Sequence, residues 1–197
     1  MLFYGDGMGI VGGRRRTVGR MVMAACVGSL LLGAAGCTAP STPAPTSNPP
    51  TVAPIFASDE EALAAATAAY TAYLNVAGTI AHEGGANAQR MSDVAVDDAF
   101  DTEMEALTGM ADAGTVGVGE VRFDRFELQS VDTASGAISA YVCLDVSESD
   151  VINDSGDSVV PSDRAKRLPL EIGFVYDRDL QRLLLGRTEI WDGEDFC

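Results

Sequence analysis

The sequence predicts an α+β domain, with N-terminal helices packed on a curved antiparallel sheet. Apolar residues recur at three- and four-residue spacing before Gly119 and at two-residue spacing after it. Helices that come first and antiparallel strands that follow define that class. The first helix is announced by Ser58-Asp59-Glu60-Glu61, a capping box. In it Ser58 accepts from the amide of Glu61, the Glu61 carboxylate returns the bond, and the acids complement the positive helix end. Its inner stripe is Leu63, Ala66, Tyr70, Tyr73, Leu74, Ala77 and Ile80, and Gly84-Gly85 ends it. A second helical stretch is expected from near Ser92 to about Gly109, with Val94, Phe100, Met104 and Leu107 inward. Asp97, Asp98, Asp101, Glu103 and Glu105 are expected to face outward. Gly109, Gly114, Gly117 and Gly119 then read as a loop leading into an edge strand.

Val121 and Phe123 alternate with Arg122 and Asp124, and the phase resets at Phe126 and Leu128 before Val131. Ala137 to Val146 is nearly continuous in apolar residues, which places it centrally in the sheet. Asn153 to Asp157 is a turn, and Pro161 to Arg167 a polar connection. Leu168 to Tyr176 and Leu180 to Trp191 form a closing hairpin around Asp177-Arg178-Asp179. The 140 positions from 58 to 197 suffice for one core that hides about two thirds of its unfolded surface.

The 197 residues carry 13 Lys+Arg against 29 Asp+Glu, a net charge of −16. Such a chain repels nucleic acid, whose phosphates need a clustered cationic surface, so no nucleic-acid partner is expected. Four of the bases, Arg14, Arg15, Arg16 and Arg20, precede an uncharged run from Met21 to Gly36. That order is the one found in secretory signals. As a helix the run reaches about 24 Å, short of the ~30 Å hydrocarbon core, which argues against a permanent transmembrane helix. Met1 to Gly13 does not fit such a signal, and translation starting downstream, for instance at Val11, accounts for it. Arg15-Arg16-Thr17-Val18 leaves twin-arginine export open beside the general secretory route.

The run closes on Ala34-Ala35-Gly36-Cys37. Small residues immediately before a cysteine at this point resemble the lipobox of bacterial lipoproteins, although Ala34 stands where leucine is usual. The resemblance implies that residues 1–36 are removed and that Cys37 is acylated as the mature N-terminus; a cut elsewhere or an uncleaved anchor is the alternative. Acyl chains contribute about 0.8 kcal/mol per buried methylene, so two or three of them hold a protein at a membrane. Residues 37–57 then form a disordered linker, with six of the eight prolines between Pro40 and Pro54. In polyproline II, at about 3.1 Å per residue, the stretch from Thr38 to Pro54 is a stalk roughly 50 Å long.

With Cys26 removed and Cys37 acylated, Cys143 and Cys197 remain, and in an oxidising compartment they pair by elimination. Loop-closure entropy makes such a bond worth on the order of 4 kcal/mol. Without residues 1–36, which contain Asp6 and the four arginines, 28 acids face 9 bases, a balance of −19. That is read as a solvated acidic surface.

The helix–helix–sheet order, Cys143-Leu144-Asp145-Val146-Ser147, the Asn153-Asp154-Ser155-Gly156 turn and the late Trp191 resemble a pattern in actinobacterial lipoproteins with a nuclear-transport-factor-2-like fold, the cystatin-like cone. The resemblance covers residues 58–197 and implies a fold much more than a function.

Tyr70, Tyr73 and Trp191 are the candidates to line the interior of such a cone, as aromatic rings with polar tips do; ordinary core packing is the plainer reading of the same residues. His82 sits at a helix end, where a cation is favourable, and no nucleophile stands with it. No paired histidines, CxxC or calcium-loop spacing occurs, so neither metal nor cofactor is expected. The expected function is therefore non-catalytic: a lipid-anchored protein on the extracytoplasmic face of the cell membrane that engages an envelope protein. The alternative is a carrier or sensor of a small apolar ligand held in the cone, and after it an enzyme, which would need a buried carboxylate or histidine facing that cavity. Replacing Cys37 with Ala is expected to release the protein from the membrane fraction and change its electrophoretic mobility; unchanged fractionation and mobility would overturn the anchor.

Overall fold

The computed structural model describes residues 53–197. The signal segment, Cys37 and the linker up to residue 52 lie outside the described residues. Helix α1 spans Asp59–His82 with Ser58 as its N-cap, whose hydroxyl accepts from the Glu61 amide at 3.3 Å. The Glu61 carboxylate returns the bond one residue earlier than expected, to the amide of Ala57 at 2.7 Å. Ala62, Ala66, Tyr70, Tyr73 and Ile80 are buried along α1, while Leu74 and Ala77 stay half-buried for a reason that appears below. The chain leaves α1 through Gly84 and Gly85. Gly85 has φ +80°, and a Cβ there would lie 2.0 Å from the Leu107 carbonyl oxygen, so only glycine lets this turn close against the second helix.

That second helix, α2, runs over Asp97–Ala113, not from Ser92 to Gly109. Its start is displaced because the preceding residues are held in extended form against the sheet: the Val96 amide donates to the Leu185 carbonyl, and the Leu185 amide to that of Val94. A short 3-10 turn over Ala88–Asp93 fills the gap. Its end is displaced because a single interior glycine, Gly109, costs a helix only about 1 kcal/mol. The true stop is Gly114, whose left-handed conformation (φ +65°) caps the helix.

Six strands follow: β1 (Val116–Gly119), β2 (Arg122–Val131), β3 (Ile138–Asp145), β4 (Ser149–Ile152), β5 (Arg167–Asp177) and β6 (Arg182–Ile190). The main sheet is antiparallel and open, in the order β2-β3-β5-β6, and β1 pairs with β4 in a two-stranded ribbon. The central placement of β3 is as the sequence predicts. The phase reset in β2 is a β-bulge: Asp124 faces Cys143 and Glu127 faces Tyr141, so Arg125 and Phe126 together oppose one residue, with Arg125 at φ +51°. The extra residue turns both Phe123 and Phe126 to the helix side, their rings 5.1 and 6.1 Å from Tyr70.

Strict alternation along β3 gives the sheet two different faces. Ile138, Ala140, Val142 and Leu144 meet the helices with Leu170, Ile172 and Leu185, while Tyr141 and Cys143 look outward. Cys143 is joined to Cys197 by a disulfide with Cα atoms 5.4 Å apart, within the span such bonds require. The tail that carries Cys197 lies on this outer face, where Tyr141 contacts the rings of Trp191 and Phe196 at 4.8 and 6.0 Å.

Gly109 has nothing within 4 Å of the place its Cβ would take. Replacing Gly109 with Ala is expected to stabilise the domain by about 0.5–1 kcal/mol, and Gly85→Ala to destabilise it by more than that, both read from urea unfolding.

Candidate functional site

The half-buried state of Leu74 and Ala77 reflects a cavity of about 260 Å³ between the two helices and the inner sheet face. Its α1 wall is Tyr70, Tyr73, Leu74, Ala77, Gly78 and Ala81; its sheet wall includes Leu144, Leu168, Leu170 and Thr188. From α2 come Asp98, Ala99, Thr102 and Glu103, and from the β4–β5 connection Arg164 and Ala165. The space exists because α1 presents small residues at this turn. Nothing lies within 4 Å of where a Gly78 Cβ would sit, so the helix leaves a gap that a leucine would fill.

Tyr70 and Tyr73 line the cavity as the sequence suggests, stacked with ring centres 6.0 Å apart. The Tyr73 hydroxyl donates to Glu103 Oε2 at 2.8 Å. Burial, reinforced by the Glu103 charge, holds both phenols protonated well beyond their ordinary range. Another hydroxyl of the lining, that of Thr188, is buried and makes no hydrogen bond among the described residues. Buried hydroxyls normally have a partner, so this orphan marks where a bound polar atom is wanted.

Trp191 does not line the cavity, which corrects the expectation for it. Thr188 faces inward, so two-residue alternation turns Trp191, three positions on, to the outer face. There it rests on Tyr141, and its indole N–H donates to the Glu194 carbonyl at 3.2 Å. Glu103 corrects the sequence reading in the opposite sense: expected outward, it is only 4% exposed. The signal for it is present, since Glu103 lies four residues before buried Leu107 and four after buried Ala99. Its acidic type, in a helix rich in exposed acids, conceals it.

His82 stands apart from the cavity. Its Nε2–H donates to the Gly119 carbonyl at 2.8 Å, which ties the end of α1 to β1. It edges a wider, more open groove of 560 Å³, lined also by Thr71, Asn75 and Thr79 of α1 and by the segment from Gly117 to Phe123. No cluster of three or more His, Cys, Asp or Glu suited to a metal occurs among the described residues, and no described helix is long and apolar enough to cross a membrane.

No family model and no curated protein matches the chain. Solved structures to which it is similar include the intermembrane space region of the chloroplast protein ARC6, at 10% identity over 64% of this chain and 95% of that one, with a TM-score of 0.45. A protein from Catenulispora acidiphila shares 17% identity over 64% and 92%, with a TM-score of 0.40. Aln2, from a Streptomyces species, shares 14% over 68% and 93%, with a TM-score of 0.39.

The Tyr73–Glu103 bond and the buried phenols yield a test in two parts. Tyr73→Phe is expected to cost about 1–3 kcal/mol, because a carboxylate in a buried site loses a donor. An unfolded phenol ionises near pH 10 while the folded ones keep their protons, so the unfolded state binds fewer protons above that pH. Stability is therefore whole below about pH 10 and declines as pH rises further; Tyr70→Phe is expected to flatten that decline in denaturant titrations.

Proposed function

We propose that this chain is a bacterial lipoprotein, anchored by an acylated Cys37 on the extracytoplasmic face of the membrane, whose nuclear-transport-factor-2-like domain binds a small, mainly apolar ligand without turning it over. The observation that carries the reading is the cavity: concave, mostly apolar, with a few convergent polar groups, which is the form small-molecule sites take. At about 260 Å³ it lies just under the usual range of roughly 300–1,000 Å³, which suits a compact ligand. Among the described residues the lining holds no histidine, cysteine, lysine or serine; its acids are Asp98 and Glu103, the latter engaged by Tyr73.

The Cys143–Cys197 bond supports an oxidising location, and the Pro-rich stretch between Cys37 and the domain supplies the distance from a bilayer. A second reading, in which the domain docks another envelope protein, is favoured by the open groove beside His82, which is broader than the cavity.

Extraction of a bound compound separates the readings, and Gly78, which borders the cavity and has room for a side chain, supplies the control. The protein purified from a bacterial envelope is expected to release a small organic compound on solvent extraction, detected by mass spectrometry. The Gly78→Phe protein is expected to fold and to carry about tenfold less of it. Equal and negligible yields from both would sink the carrier reading.

A further inference from the structure

Among the described residues Arg164 is the single basic one in the cavity lining, and it is held there by the backbone. Its Nη2 donates to the carbonyls of Val146, at 3.0 Å, and of Ser149, which fixes the plane of the guanidinium. Its Nε and Nη1 make no hydrogen bond among the described residues, and no carboxylate there pairs with it. The other part-buried guanidiniums are treated differently. Arg90 meets Glu83. Arg167 lies between Asp124 and Asp145, at 2.7 and 3.0 Å, and Arg187 between Glu171 and Glu189, at 2.6 and 3.1 Å. In a chain with 29 acids against 13 bases, a half-buried arginine without an acid is the exception, and this one borders an apolar space.

From this we infer that the cavity's ligand is a small carboxylic acid, its carboxylate received by the open side of the Arg164 fork and its apolar body lying against Leu144, Leu168, Leu170 and Tyr70. A planar guanidinium with two adjacent donors matches a carboxylate in two parallel bonds. Asp98 of α2 lines the same space; its carboxylate repels another from that side and so directs the head toward the β4–β5 connection. The inference rests on the cavity being a ligand site and adds the charge and orientation of what enters it.

The test is calorimetric titration of the full chain carrying Cys37→Ala with octanoate, 1-octanol and octylammonium at pH 7. Octanoate is expected to bind at least about tenfold more tightly than octanol, as a charge-assisted bidentate contact gives, and octylammonium no more tightly than octanol. Arg164→Gln is expected to abolish the octanoate advantage and leave octanol binding unchanged. The inference is overturned if octanoate binds no better than octanol, if octylammonium binds best, or if the advantage survives in Arg164→Gln. Should that variant fail to fold, the ranking of the three compounds on the protein with Arg164 intact decides. Binding of octanol with no preference for octanoate leaves the carrier reading standing and this one refuted; failure of all three compounds refutes both.

Discussion

The seating of Tyr70 against Phe123 and Phe126 governs how the helical layer meets the sheet. Phe123 and Phe126 are three residues apart, so in a regular strand they would point to opposite faces. The bulge at Arg125 brings them together, and the ring of Tyr70, 1% exposed, closes on both. Fixing α1 at this point determines which of its turns reach the sheet and which do not. One to two turns toward the C-terminus, Leu74, Ala77 and Gly78 border the space left between helix and sheet, and that space is the cavity. Thus a one-residue irregularity in an edge strand sets the position of the space that the rest of the domain encloses.

Charge in this protein is sorted by face. The outer surface of the sheet is laced by arginine–carboxylate pairs that cross strands: Arg167 of β5 reaches Asp145 of β3 and Asp124 of β2. Arg187 of β6 reaches back over Gly173 to Glu171 of β5. These side chains remain about one fifth to two thirds exposed, so each pair contributes little by itself. Their more definite effect is on register, since each arginine meets its acids only when neighbouring strands stand in the observed alignment. Inside, by contrast, the polar groups are few and directional, and the Thr188 hydroxyl is left without a partner among the described residues.

Most of the architecture is legible in the sequence because it depends on local signals. Ser58 and Glu61 place the start of α1, the double glycine its end, and the break in alternation at Phe126 is a bulge. The limits of α2 are not legible, because they are set by contacts distant in sequence: Leu185 holds residues 94 to 96 extended until the helix can begin. The glycines from Gly114 to Gly119 read as a loop, whereas Gly117 serves close packing; a Cβ there would stand 2.9 Å from that of Ala81, so β1 lies directly on α1. At the cavity, helical phase finds the tyrosines. Trp191 escapes because an aromatic ring at a strand end does not declare its face, and Glu103 because its residue type contradicts its position. Arg164, on an irregular connection, has no periodicity to reveal it.

The disulfide has a consequence for geometry as well as for stability. Cys143 looks outward from the same strand whose next residue, Leu144, forms part of the cavity wall. Sliding β3 by one position would carry the sulfur into the core and Leu144 out of it. A covalent link on the outer face therefore removes that slipped state from the conformations available to the oxidised chain, and the dimensions of the interior space are secured from outside it. Oxidation of the two thiols then acts as the step that sets the bore of the cavity, at a distance from the space itself.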